Sequence, residues 1–160
     1  MSIPAFLDTG LLPVGVHVVE DISEVESVLA WNDRRKLLVK GLRDFVSREL
    51  ALCAHGLELC VDGSFVTNKP VPGDIDICIC VSFEDFDSRG ALVDLIKRDG
   101  GKNGRVRATY GVEPVIGLSW LASRDHLSYF QRLSVREAFA RRIEPTTRKG
   151  IVKVQKWASG

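Results

Sequence analysis

Apolar residues recur along this chain with two periods, and the switches between them mark its elements. Over residues 32–55, Leu38, Leu42, Phe45, Val46, Leu50 and Cys53 fall at steps of three and four. That spacing predicts one long helix with a single buried stripe, stopped by Gly56. Just upstream, Ser23 with Glu26 three residues on has the form of a capping box, which predicts a short helix to about residue 31. The period then drops to two. Leu57, Leu59 and Val61 alternate with Glu58, Cys60 and Asp62, so residues 57–62 read as a strand that Gly63 ends. Pro70, Pro72 and Gly73 make residues 64–73 a connection. Residues 74–81 form a second, isoleucine-rich strand.

Beyond it, Leu92, Leu95 and Ile96 lie on the inward side of a helix over residues 89–99, and a glycine-rich loop follows at 100–104. Residues 106–118 carry strand signals, with Pro114 favouring an edge position or a bulge. Ser123 is placed to cap a helix through residue 133, residues 136–142 add a further turn, and residues 150–157 alternate as a last strand. Residues 1–20, broken by Pro13 and Gly15, read as an extended arm. The expected fold class is α/β or α+β: a small mixed sheet flanked by helices, residues 1–160 forming one domain.

Composition adds exclusions. No apolar run approaches the roughly 20 residues a membrane span needs, so no membrane partner is expected. The N-terminus lacks the basic flank and apolar stretch of a signal peptide. Cys53, Cys60, Cys78 and Cys80 form no C-x-x-C pair, and His17, His55 and His126 are scattered, which argues against zinc. Buried reduced thiols in a cytoplasmic protein account for them, with a Cys60 disulfide to Cys78 or Cys80 as the alternative. Charge is asymmetric. Residues 1–87 hold 7 Lys/Arg against 15 Asp/Glu (net −8), and residues 88–160 hold 15 against 6 (net +9). Either the halves face one another, or the basic half binds a polyanion.

The chemistry concentrates in V-D-G-S-F-V-T-N-K-P-V-P-G-D-I-D-I-C-I-C. Asp74 and Asp76 stand two apart in a strand, so their carboxylates share a face while Ile75, Ile77 and Ile79 enter the core. Like charges so placed repel unless a cation lies between them, and Mg²⁺ with its preference for oxygen ligands is the natural partner. Cys78 and Cys80 continue the same face as packing residues, since thiolates do not suit Mg²⁺. Upstream, Gly63 allows close backbone approach, turn amides and the Ser64 hydroxyl are phosphate donors, and Lys69 is either a phosphate ligand or a solvated lysine. Asp74 and Asp76 need a third carboxylate to hold a two-ion site. Glu113, in an apolar segment, is the best candidate, ahead of Asp62 and Glu58. Together these are the parts for metal-assisted phosphoryl or nucleotidyl transfer.

G-S-F-V-T-N-K-P-V-P-G-D-I-D-I resembles the signature of the DNA polymerase beta-type nucleotidyltransferase superfamily. That signature is a Gly-Ser turn followed by an acid-hydrophobic-acid strand; nine residues (65–73) separate Ser64 from Asp74 here. The chain is also similar to small prokaryotic proteins with a D-G-S-F-V-T-x-K-x-x-P-x-D-x-D block, to which R-R-K-L-L-V-K-G-L (34–42) and K-G-I-V (149–152) extend the likeness. The resemblance implies a nucleotidyltransferase fold. Gly63 and Ser64 would hold a nucleoside triphosphate, and Asp74, Asp76 and Glu113 would be catalytic and bind two Mg²⁺ ions. It implies transfer of NMP from an NTP to a protein or RNA acceptor, with DNA not expected as a partner. Some minimal members of the superfamily are antitoxins that modify or mask a toxin, and others are toxins that modify tRNA. The alternatives are therefore a non-catalytic antitoxin or regulatory module that masks a protein partner, and a basic nucleic-acid-binding module.

Overall fold

The computed structural model describes residues 3–119 and 131–158. Five strands form one mixed sheet in the order β1-β5-β2-β3-β4: β1 Val16–Val19, β2 Glu58–Asp62, β3 Ile75–Ser82, β4 Val112–Ser119 and β5 Ile151–Val154. β2 runs antiparallel to both β3 and β5, while β1 pairs parallel with β5 and β4 parallel with β3. Among the described residues the α-helices are α1 Ile22–Leu29, α2 Asp33–Phe45, α3 Ala51–Cys53, α4 Gly90–Asp99, α5 Arg105–Tyr110 and α6 Val135–Arg141. This is the mixed α+β architecture expected.

Strand alternation decides the two faces of the sheet. Leu59, Val61, Ile75, Ile77, Ile79, Val81, Val152 and Val154 pack in one core with Leu38, Leu42 and Phe45 of α2, Leu92 of α4 and Val106 of α5. Burying these side chains contributes about 1.5–3 kcal/mol each. The opposite face carries a smaller cluster of Cys60, Cys78, Cys80 and Ile151. All four cysteines are free thiols, although Cys60 and Cys78 face each other in register, so the disulfide alternative is set aside. Among the described residues no helix is long and apolar enough to cross a membrane.

Several boundaries differ from expectation for local reasons. Asp21, not Ser23, caps α1: its carboxylate accepts the Glu24 amide at 3.1 Å, a charge well placed at a helix start. The long helix passes through a π-helical turn at Val46–Leu50 before α3. Its first carbonyl-free amides are capped by Asn32, which accepts from the Arg35 amide. Residues 105–110 are helical rather than extended; Gly111, at φ +73°, ends that helix and starts β4. Among the described strands β4 lies at the sheet edge, one of the two placements that Pro114 favoured. The helix expected over 123–133 falls largely on residues 120–130, outside those described. Gln131–Leu133 are not helical, and Arg132 forms a bridge with Arg148. β5 closes at Val154, and Trp157 turns into the core, its indole N–H donating to the Leu57 carbonyl at 2.8 Å.

Candidate metal centre

Sheet register assembles the centre. Asp76 stands opposite Asp62 on β2 and opposite Glu113 on β4, so one row of carboxylates crosses three strands on one face. Asp74, just before β3, adds a fourth on the same side. Carboxylate oxygens of Asp74, Asp76 and Glu113 all lie within 4.8 Å of one another. Gly63 completes the corner at φ +73°, and a Cβ there would overlap the Asp76 carboxylate. Both its backbone and its missing side chain are therefore required.

The chain belongs to the family of unknown function DUF6932. Its family model matches residues 4–155, a span that holds every residue of this centre. No curated protein and no solved structure matches the chain.

Electrostatics in this DUF6932 chain separate the acids. Burial, then the charges of Asp74, Glu113 and Asp62, push Asp76 up to about 7, with Lys149 opposing. Burial also raises Glu113, helped by the charge of Asp74 and a hydrogen bond to it. Asp62 is raised by burial, and its Oδ1 is buried without a hydrogen-bond partner, 3.4 Å from Lys149 Nζ. Arg107 of α5 donates from Nε to Asp74 Oδ2 at 2.9 Å, which raises the guanidinium's pKa. Among the described residues it alone forms an ion pair with the Asp74, Asp76 and Glu113 triad. A divalent cation fits this donor set: three clustered oxygen ligands, two of them with pKa values raised first by burial and then by neighbouring negative charge.

The connection from β2 to β3 is held from behind. Arg35 is fully buried, and among the described residues no carboxylate pairs with it. It donates instead to the carbonyls of Leu29, Phe65, Thr67 and Lys69 at 2.6–3.1 Å and stacks 3.6 Å from the Trp31 ring centroid. Burial lowers its pKa to about 10. Arg34 binds the carbonyls of Pro72 and Gly73, and Asn32 that of Pro70. The start of α2 thus fixes nearly the whole loop. Ser64 sits in the 3₁₀ turn Gly63–Val66, its carbonyl accepting from the Thr67 hydroxyl at 2.7 Å.

The structure brings Asp74, Asp76, Glu113, Gly63 and Ser64 together. Lys69 is exposed and lines a different cavity, of about 460 Å³, with Arg136, Glu137 and Arg141. Sequence reasoning missed Arg35 and Arg107. The doublet Arg34-Arg35 inside an amphipathic helix was a usable signal for the first, since position 35 lies three residues before Leu38 on the buried stripe.

Proposed function

We propose that this protein is a Mg²⁺-dependent nucleotidyltransferase that moves a nucleoside monophosphate from a nucleoside triphosphate to a protein or RNA hydroxyl. The observation that carries this reading is the triad Asp74, Asp76 and Glu113, gathered within 4.8 Å beside the Gly63-Ser64 turn. Mg²⁺ held by those carboxylates would supply Lewis-acid activation of the attacking hydroxyl and charge relief for the departing pyrophosphate. The chain's residues supply the rest. Gly63 leaves the Asp76 carboxylate and the turn backbone close together, where Ser64 can donate to a phosphate oxygen. The acceptor oxygen bonds to the α-phosphorus as the bond to the bridging oxygen breaks and pyrophosphate leaves. The hydroxyl proton passes to a carboxylate of the triad, Glu113 being the one that the neighbouring strand places beside Asp74 and Asp76. Arg35 orders the loop between the Ser64 turn and Asp74, so that both halves of the centre keep their spacing.

Incubation with each α-labelled NTP, Mg²⁺ and host lysate tests this. Label should pass to an acceptor with wild type and disappear with Asp74→Asn or Asp76→Asn. Equal labelling by wild type and variants would remove the reading. A second reading, a partner-masking module, draws on Val135 and Phe139, one turn apart on α6 and 71% and 86% exposed. Its mark would be a co-purifying protein lost with Phe139→Ser and retained with Asp76→Asn.

A further inference from the structure

Among the described residues Arg107 is the one basic side chain ion-paired with the triad, and although 37% exposed it is carried to Asp74 by a helix packed into the fold. It comes from α5, a helix fixed in position: a Cβ on Gly41 of α2 would overlap the Tyr110 carbonyl, so the two helices touch backbone to backbone. Val106 beside it is fully buried. From this anchored helix the side chain reaches back 33 positions in sequence to Asp74, donating from Nε to Oδ2 at 2.9 Å. Its far end passes Gly73, where an added Cβ would meet Nη2 at an ordinary contact distance of 3.5 Å. The guanidinium also borders a cavity of about 540 Å³ whose lining includes Arg34, Lys40, Asp44 and Tyr110. Room therefore exists for the side chain to leave Asp74 without any movement of α5, and a carboxylate, Asp44, borders the space it would enter.

A guanidinium and a metal ion cannot both sit close to one carboxylate without mutual repulsion, and the low-dielectric setting of the half-buried triad strengthens that conflict. We propose that Arg107 is the resident counter-ion of this centre, occupying Asp74 until a divalent cation displaces it, so that metal and guanidinium compete for the same carboxylate. The inference rests on the metal-binding reading of the triad. It makes Arg107 a positioning residue: it keeps Asp74 oriented and the acids from repelling one another while no metal is bound, and it sets how tightly a metal binds.

Mn²⁺ binding to the full chain, measured by electron paramagnetic resonance, tests it with four proteins. Arg107→Gln should tighten Mn²⁺ about tenfold relative to wild type, an effect that structural damage would not produce. Lys40→Gln removes a cation from the same cavity that has no bond to the triad, and should leave the affinity within about twofold. Asp76→Asn should weaken binding by about 100-fold or more. Unchanged or weaker binding by Arg107→Gln, or equal tightening by Lys40→Gln, would overturn the proposal. If Asp76→Asn binds Mn²⁺ as wild type does, the metal reading itself fails and this inference with it. Loss in Asp76→Asn with no change in Arg107→Gln removes the counter-ion role alone. Should Arg107→Gln not fold, the wild type still decides. Its Arg107 Nε–H resonance, assigned with Arg107→Lys, should shift on saturation with Mg²⁺, and a resonance that stays in place while the site fills contradicts displacement.

Discussion

At the rim of the molecule, Arg105 serves two carboxylates, Glu49 and Asp99, and both are held below their ordinary pKa, chiefly by hydrogen bonds from arginine. At the triad, Arg107 serves one of three carboxylates, and the other two rise. The same side-chain chemistry thus gives opposite outcomes. In the first cluster solvent and charge balance favour the ionised acids; in the second, burial and mutual repulsion penalise them. Elsewhere the acidic first half is matched from the basic second half: Glu20 with Lys156 and Glu58 with Lys153. Part of the charge asymmetry is consumed in such pairs, while Asp76 and Glu113 of the triad have no ion pair among the described residues. Leaving acids unmatched costs stability, and a site that takes up a cation recovers it on binding.

Breaking the triad should have the largest effect. Asp76→Asn is expected to weaken Mn²⁺ by about 100-fold or more in a calorimetric titration, since it removes the central ligand. Glu49→Gln, in the balanced cluster, should leave Mn²⁺ affinity within about twofold. Next comes the corner that seats Asp76. Gly63→Ala faces both a positive φ and overlap with the Asp76 carboxylate, and should cost about 2–4 kcal/mol in urea unfolding. Gly56→Ala has a similar φ of +82° with its nearest neighbour 4.0 Å away, and should cost only about 1 kcal/mol.

pH sharpens the contrast further. Asp76 keeps its proton in the folded protein up to about pH 7, whereas the unfolded chain releases it near 3.8. The folded state therefore binds more protons across that window, and metal-free stability falls as pH rises through it. A loss of about 1–3 kcal/mol between pH 4 and pH 8 is expected from this group, reversed by millimolar Mg²⁺ and flattened by Asp76→Asn. The smallest effect belongs to the rim: Glu49→Gln should shift Tm by no more than about 3 °C, followed by circular dichroism.

The parts of the centre that were legible in the sequence are those carried by local pattern. Alternation in I-D-I-C-I-C places Asp76 and the isoleucines on opposite faces without any tertiary information. Glu113 stood out as an acid in an apolar run. Arg107 did not, because R-V-R-A-T-Y is too short for a helical period and rich in residues that favour strands. Packing on Gly41 and burial of Val106 make it a helix, and only that helix turns Arg107 toward Asp74. Arg35 was hidden differently. A buried arginine with no acid partner is rare, and its partners are backbone carbonyls, which leave no mark in side-chain identity. The boundary error at α1 is a competition between two caps, and Asp21 prevails with a carboxylate at the cap position, two residues before the Ser23 hydroxyl.

The metal-platform reading is tested most directly by a crystal structure of the protein with Mn²⁺ and a non-hydrolysable nucleoside triphosphate. The expected result is anomalous density between Asp74, Asp76 and Glu113, with the triphosphate against the Gly63-Ser64 turn. A nucleotide bound elsewhere, or a triad that holds no Mn²⁺ at saturating metal, would contradict it.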